Sequence, residues 1–284
     1  MIIWIASYPK SGNTWIRALL SHYFFSKEEK FNFDLLKHIP NFNIGDFTNE
    51  NTKFSSNIDY ADKALDVQKF ICQKYKINPF FKTHSSLCKI DKTFFTNKSV
   101  SLGCIYVVRD PRNVITSYKN FENLNYEKTL NFMVNKDSFL FANKATQKKF
   151  KIKGMELISS WSENYNSWIN NKLRIPVCLI KYEDLIENTL KELEKMFNFI
   201  KEISSEKNSN FDIVRAKKTI AETSFDKLKK LELKEGFSEK EEKTRKNYFF
   251  NQGRLNDWNN SLSDDIKKKL EDNFHKEMQD LGYL

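Results

Sequence analysis

The chain has 284 residues, of which 40% are hydrophobic and 30% charged, and no proline-, glycine- or serine-rich linker divides it, so we expect one globular domain. Its net charge of +10 suits an anionic ligand, although lysines spread over solvated faces would give the same sum, and no arginine-rich stripe with interleaved aromatics indicates nucleic-acid binding. No apolar run could span a bilayer and the four cysteines form no CxxC pair, which predicts a soluble cytoplasmic protein without a membrane anchor, disulfide framework or zinc site.

Four short apolar runs are rich in β-branched and aromatic residues, which is typical of buried parallel strands. They are Ile2–Ala6, Pro79–Phe81, Cys104–Val108 and Val177–Ile180. Three of them lead into residues with helical spacing, whereas the run that ends at Phe81 leads into a loop at Lys82. The alternation predicts an α/β fold with a central parallel sheet flanked by helices and with ligands at the carboxyl ends of the strands.

The predicted helices follow from apolar residues that recur every three or four positions. The first covers Thr14 to Phe25, and a later one begins at Asp110-Pro111, an N-cap followed by a proline at the first helical position. Two further stripes comprise Leu157, Trp161, Tyr165 and Trp168, and Ile266, Leu270 and Phe274. The stretch from Phe31 to Tyr75 is polar and irregular, and we expect it to be a covering insertion in the single domain of residues 1–284.

The first polar motif, Tyr8–Trp15, lies between the first strand and the first helix. Backbone N–H groups and the positive end of the helix can bind an anion there, and Gly12 lets a ligand approach closely. Lys10 adds a positive charge, while Ser11 and Thr14 add hydroxyl donors. A structural turn is the alternative. A Walker P-loop is disfavoured because no leading glycine is present and the lysine precedes Gly12 rather than following it.

The second and third motifs follow the next two strands along the chain. In Lys82-Thr83-His84 the imidazole could take a proton from an acceptor hydroxyl at neutral pH, although a histidine alone would more often be a loop residue with a structural role. Arg109 leaves the third strand, where a guanidinium can grip a phosphate, and Ser117 can face the same anion from the following helix. The alternative for Arg109 is an ion pair with a surface carboxylate.

Together these motifs resemble the cytosolic sulfotransferase family, and the resemblance covers nearly the whole chain. It implies a P-loop-like three-layer α/β fold, with Tyr8–Trp15 as the 5′-phosphosulfate loop and Arg109 to Ser117 as the 3′-phosphate motif. Further positions match those that hold the adenine or close the family's C-terminal element. They are Tyr182, Thr223 and Phe225 for the adenine and Asp257-Trp258 for the C-terminal element.

The resemblance also implies a chemistry. The donor would be 3′-phosphoadenosine 5′-phosphosulfate (PAPS), the product adenosine 3′,5′-bisphosphate (PAP), and no metal would be needed. His84 would act as the general base for in-line displacement, Lys10 would neutralise the leaving 5′-phosphate oxygen, and Lys82 would stabilise the sulfuryl group in transit. The remaining donor-binding positions would be Ser11, Gly12, Asn13, Thr14 and Trp15 in the first loop.

The chain departs from the family pattern near its end. Where the family has Arg-Lys-Gly, this sequence has Asn251-Gln252-Gly253, which removes two positive charges beside the expected 3′-phosphate. Arg254 is the nearest replacement, and Arg245 or Lys246 are others. Asn13 stands where threonine is commoner, which keeps a hydrogen-bonding side chain.

Three other classes remain open from the sequence. A P-loop kinase-like phosphotransferase would need GxxxxGK[ST] and a strand-end aspartate for magnesium, and neither is evident. A non-catalytic or altered-specificity nucleotide-binding protein stays possible because of Asn251-Gln252, while a membrane-bound sulfotransferase is disfavoured by Lys82-Thr83-His84 and the missing anchor. The predicted acceptor is a small molecule or a glycan, with no nucleic-acid or membrane partner. The sequence leaves the oligomeric state open.

Overall fold

The computed structural model describes residues 1–27, 30–47, 57–141, 154–204, 209–237, 248–250 and 257–284. The described strands are β1 (Ile2–Ser7), β2 (Phe80–Thr83), β3 (Lys89–Ile90), β4 (Thr93–Phe94), β5 (Ser101–Val108), β6 (Phe139–Phe141), β7 (Gly154–Leu157) and β8 (Val177–Lys181). The described α-helices are α1 (Asn13–Phe25), α2 (Asn57–Lys74), α3 (Pro111–Glu122), α4 (Tyr126–Val134), α5 (Trp161–Ile169), α6 (Tyr182–Glu187), α7 (Thr189–Ser204), α8 (Ile213–Glu222), α9 (Phe225–Glu235), α10 (Asp264–Asn273) and α11 (His275–Asp280). Short 3-10 turns cover Phe33–His38, Ile44–Asp46 and Trp258–Asn260.

The four strands predicted from the sequence form one parallel sheet in the order β2-β1-β5-β8. Their carboxyl ends meet at one edge, since Ala6 of β1 pairs with Thr83 of β2, and Ser7 pairs with Val107 of β5. Val108 pairs with Lys181 at the end of β8. The motifs that follow these strands are therefore brought to the same edge, which confirms the predicted fold class.

Helices cover both faces of the sheet because each central strand is buried on both sides. Trp4 belongs to a core shared with α2, α5 and α10, whereas Ile3 and Ile5 belong to the opposite core with α1, α7 and α8. Successive side chains of β1 thus point to opposite faces of the sheet, as expected for a strand that lies between two layers of helices. The fold is thus a three-layer α/β/α sandwich.

Two local expectations are wrong. Leu157 ends strand β7, and the helix expected to contain it begins at Trp161 after an N-cap at Ser160, whose hydroxyl accepts from the N–H of Glu163. The stretch from Phe31 to Tyr75 is not irregular throughout, because it contains the 18-residue helix α2. Among the described side chains of α2 a narrow stripe is buried, at Ala61, Ala64, Val67, Gln68 and Ile71, so the apolar signal is diluted by its polar neighbours.

The expected N-cap of the helix that follows β5 is confirmed. Asp110 caps α3, with its carboxylate accepting from the N–H of Arg112 and Pro111 at the first helical position. The four cysteines are free thiols. Within the described ranges no helix combines the length and apolarity that a membrane span requires.

Candidate active site

The loop after β1 turns sharply into α1. Its backbone has φ of 66° at Lys10 and 107° at Gly12, which is the N-cap of the helix. The amide of Asn13 fastens the loop to the strand, since Nδ2 donates to the Ile5 carbonyl at 3.0 Å and to Ser7 Oγ at 3.2 Å. Ser11 is fully buried, and its hydroxyl has no hydrogen-bond partner among the described residues. A buried hydroxyl without a partner is unfavourable, so a ligand that accepts from Ser11 would be stabilised.

Glycine is required at position 12 because φ is positive there and because Tyr182 packs closely against it. A Cβ at this position would lie 2.5 Å from Cδ2 of Tyr182, the first residue of α6. We therefore expect Gly12→Ala to lower the free energy of unfolding by about 1–3 kcal/mol, through positive φ and the clash with the ring. Chemical denaturation measures the change.

Gly282 provides the control, because its φ is 70°, it ends a helix in the left-handed conformation, and nothing lies within 4 Å of a Cβ built there. Gly282→Ala would therefore show the backbone strain without a clash. Equal losses of stability at Gly12 and Gly282 would contradict a packing role for Tyr182 against the loop.

Two aromatic rings favour the charge of the Lys10 ammonium group, whereas burial and neighbouring cations disfavour it. Its Nζ is 4.1 Å from the ring centroid of Phe121 and 4.0 Å from that of Phe249. Burial, followed by the positive charges of Lys82 and Arg109, lowers the pKa of Lys10 to about 7. Three cationic side chains from the ends of three neighbouring strands thus converge at one edge of the sheet. Such a cluster suits a ligand with more than one negative charge.

Arg109 follows β5 and is only 7% exposed. Its guanidinium lies 4.1 Å above the Tyr182 ring, and Nη1 donates to the Lys10 carbonyl at a long 3.4 Å. Nε is buried without a hydrogen-bond partner, and no ion pair to Arg109 occurs in the described part of the chain. The nearby Glu183 instead accepts from the N–H of Asp110 at 3.1 Å and from the hydroxyl of Tyr283 at 2.8 Å. Among the described residues Arg109 thus makes no ion pair with a carboxylate, although its charge opposes the rise in the pKa of Glu183 that burial causes.

The imidazole of His84 contacts Ser7 through Nδ1. Its Nδ1 lies 2.8 Å from the carbonyl oxygen of Ser7 and 3.3 Å from Ser7 Oγ. A carbonyl oxygen can only accept, so Nδ1 carries a proton, and whenever the ring is neutral its lone pair is on Nε2. Lys82 is two residues earlier on the same chain segment. Nε2 is thus the nitrogen of His84 that could act as a general base.

The predicted adenine-binding residues lie around Trp15. The Trp15 ring is 5.8 Å from that of Tyr182, and its Nε1 donates to the Thr223 carbonyl at 3.0 Å. The hydroxyl of Thr223 is committed to the Thr219 carbonyl in its own helix. Phe225 opens α9 and packs edge-on against Phe250 at 6.2 Å. The structure brings these aromatic side chains to the base of α1.

The structure shows fewer contacts for the other predicted positions, and several of them fall outside the described residues. Thr14 is buried in the first turn of α1, and Ser117 is half-buried on α3. Trp258 stacks on the guanidinium of Arg112 at 4.0 Å, so Asp257-Trp258 packs against the start of α3. The residues Arg245, Lys246, Asn251, Gln252, Gly253 and Arg254 lie outside the described residues.

Sequence reasoning missed two carboxylates that support the predicted motifs. Glu232 of α9 is buried, and its two oxygens accept from the N–H groups of Phe249 at 2.7 Å and Phe250 at 2.9 Å, just before Asn251. Glu156 of β7 accepts from the segment that contains His84. No local pattern marks either residue, because each acts on a segment distant in sequence.

Comparisons with known proteins place the chain in a family. The sulfotransferase domain family matches residues 2–282. Sulfotransferase 1B1 of Canis lupus familiaris is 25% identical over 238 residues, covering 79% of this chain and 65% of that protein's length. Amine sulfotransferase of Oryctolagus cuniculus is 22% identical over 291 residues, covering 98% of this chain and 81% of that protein.

Two solved structures share the fold. A mouse sulfotransferase, SULT7A1, complexed with PAP has a TM-score of 0.58 and 18% identity, covering 99% of this chain and 86% of the other. Retinol dehydratase in complex with androsterone and the inactive cofactor PAP has a TM-score of 0.61 and 13% identity, covering 98% and 80%. The fold is of the P-loop-like class, and the family match identifies a PAPS-dependent transferase. The chain belongs to the sulfotransferase family, as its motifs predicted.

The residues present fit the donor of this family. The Ser11 hydroxyl and Arg109 Nε are buried hydrogen-bond donors without a partner among the described residues, and the cationic cluster of Lys10, Lys82 and Arg109 complements a ligand with two phosphate-containing ends. In the described ranges no group of three His, Cys, Asp or Glu side chains is arranged to hold a metal ion.

Proposed function

We propose that this chain transfers a sulfuryl group from PAPS to the hydroxyl or amine of a small molecule or glycan. The observation that carries the proposal is the contact of His84 Nδ1 with the Ser7 carbonyl at 2.8 Å, which places the lone pair of the neutral ring on Nε2, two residues after Lys82 of the cationic cluster. The proposal joins a general base to an anion-binding loop at one edge of the sheet.

The proposed roles follow from the chemistry of each side chain. PAPS supplies the sulfuryl group and leaves as PAP. His84 takes the acceptor proton at Nε2, which makes the acceptor oxygen or nitrogen a better nucleophile. Lys10 neutralises charge on the leaving 5′-phosphate oxygen, and Lys82 stabilises the group in transit. Arg109 and Ser117 hold the 3′-phosphate, with Tyr182, Thr223, Phe225 and Trp15 around the adenine.

The lowered pKa of Lys10 has a direct consequence for donor binding. With a pKa of about 7, Lys10 is partly neutral at pH 7 in the donor-free protein. An anionic ligand favours the charged form and raises that pKa, so binding is accompanied by proton uptake near and above pH 7. The affinity for PAP would then fall as the pH rises through 7, until the pKa of the bound state is reached.

One observation favours a second candidate. Asn251 and Gln252 lack the charges that the family carries beside the 3′-phosphate. A nucleotide-binding protein with altered specificity would account for that loss. It would bind adenosine 5′-phosphate as tightly as PAP, and it would not transfer sulfuryl groups.

The first experiment compares melting temperatures with PAP, with adenosine 5′-phosphate, and with ATP plus magnesium. A ligand at one hundred times its dissociation constant stabilises a fold by about 2.7 kcal/mol, which is roughly 2–4 °C for a chain of this size. We expect the largest rise with PAP. Equal rises with PAP and adenosine 5′-phosphate would favour the second candidate, and a rise only with ATP and magnesium would favour a phosphotransferase.

Acceptor screening follows if PAP stabilises the protein. The names of the relatives suggest three classes to begin with, namely amines, steroid alcohols such as androsterone, and retinoid alcohols. Transfer of label from PAPS to any of them would support the proposal. Hydrolysis of PAPS without an acceptor product in every class would leave glycans as the remaining acceptor class to assay.

A further inference from the structure

The segment that carries His84 has no regular secondary structure, yet its backbone is held at almost every polar group. The His84 N–H donates to Glu156 Oε1 at 2.9 Å, and the His84 carbonyl accepts from Asn164 Nδ2 at 3.0 Å. The Ser85 carbonyl, the Ser86 N–H and the Leu87 N–H are held in turn by Trp168 Nε1, the Leu157 carbonyl and Ser167 Oγ. All of these partners lie in β7 and α5. These two elements therefore fix the backbone position of His84.

Glu156 is the charged member of this set of partners. Besides the His84 N–H, its Oε1 accepts from the hydroxyl of Thr83 at 2.8 Å and lies 3.5 Å from Ser85 Oγ. Thr83 Oγ1 accepts in turn from the N–H of Ser85 at 3.0 Å. One carboxylate oxygen thus ties together three consecutive residues centred on His84. Hydrogen bonds to an ionised acceptor are roughly twice as strong as neutral ones.

The carboxylate acts on the imidazole through the main chain. Thr83 pairs with Ala6 at the end of β2, and the His84 ring reaches across to the Ser7 carbonyl at the end of β1. His84 is thus held at two points: Ser7 contacts the ring at Nδ1, and Glu156 accepts from the backbone N–H. Fixing the backbone at residue 84 fixes the direction in which the ring leaves it, and hence the place of Nε2.

We propose that Glu156 is a positioning residue for the His84 general base. This inference rests on the proposed function for its kinetic part, since the proton that His84 takes comes from the sulfuryl acceptor. Without the carboxylate, the His84 N–H and the Thr83 hydroxyl lose their acceptor and the segment relaxes. A displacement of the reacting group by about 1 Å can reduce the rate about 10²-fold.

Three variants and one control test the proposal. Glu156→Ala removes the acceptor, and Glu156→Gln keeps an acceptor oxygen but no charge. Thr83→Val removes, at nearly constant volume, the hydroxyl that donates to Glu156 and accepts from the N–H of Ser85. Glu163→Ala is the control, because Glu163 lies in α5 and pairs with the exposed Lys136 at 2.9 Å instead of the His84 segment. The measurements are kcat, KM for PAPS, and the rise in melting temperature with PAP.

We expect Glu156→Ala to lower kcat about 10²-fold and Thr83→Val about 10-fold, with KM for PAPS and the PAP-induced rise unchanged within about threefold. Glu156→Gln should recover most of the loss, and Glu163→Ala should match the parent protein. Parent-like kcat in both Glu156→Ala and Thr83→Val would overturn the proposal. If Glu156→Ala does not fold, Thr83→Val decides alone.

A second readout does not depend on transfer. In ¹⁵N spectra of the imidazoles, with His84 assigned by its loss in His84→Gln, the parent should show the Nδ1–H form. Glu156→Ala should show a mixture of the two neutral forms, whereas Glu163→Ala should not. An unchanged His84 signal in Glu156→Ala would refute the positioning role even if no acceptor is ever found. A changed signal in a protein without transfer activity would instead point to a failure of the proposed function.

Discussion

Replacing His84 with alanine is expected to lower kcat about 10²–10⁴-fold, which is the usual contribution of a general base. The reason is specific to this site, because the Nδ1 contact with the Ser7 carbonyl presents the lone pair of Nε2 rather than a proton. The same substitution should leave PAP binding intact, since the cationic cluster and the first loop are made of other residues. The measurement is kcat with a responsive acceptor, together with the PAP-induced rise in melting temperature.

The matched control is His275→Ala. His275 is exposed at the start of α11 and belongs to none of the motifs of the candidate site, so its loss should leave kcat unchanged. A His84→Ala protein that binds PAP and retains full kcat would remove His84 from the mechanism. The base would then have to be another group near Lys82, or the acceptor would have to react without one.

The sheet could be predicted because its strands are apolar on both sides. Ile2–Ser7 and Ser101–Val108 are buried almost throughout, and such continuous apolar runs stand out in a sequence. Once parallel pairing is inferred, the carboxyl ends must meet, so the motifs after each run belong to one site. This is why the sequence alone could assign Lys10, His84 and Arg109 to one candidate site.

The supporting residues could not be predicted, because their partners are distant in sequence. Thr83 and Glu156 are 73 positions apart, and no spacing rule relates them. The rings on either side of Lys10, from Phe121 and Phe249, are likewise contributed by separate parts of the chain. The helix α2 was missed for a different reason, since its buried stripe is too narrow to stand out among polar residues.

Arg109→Met is expected to weaken PAP binding roughly 10- to 150-fold, because hydrogen bonds to a charged group contribute about 1.5–3 kcal/mol. We expect the upper part of that range, since Asn251 and Gln252 leave fewer charges near the 3′-phosphate than the family pattern has. Binding of adenosine 5′-phosphate should change much less. The measurement is the ratio of the two dissociation constants by calorimetry.

Without ligand, Arg109→Met should not lower the melting temperature, in contrast to its effect on PAP binding. Arg109 is nearly buried, its Nε has no partner among the described residues, and its charge lowers the pKa of Lys10. Removing that charge relieves repulsion, so the melting temperature without ligand should stay equal or rise, as is common where function requires a destabilising residue. The exposed Arg174 gives the matched control, and Arg174→Met should change neither quantity. A large fall in stability with an unchanged ratio of dissociation constants would show that Arg109 holds the fold together rather than the 3′-phosphate.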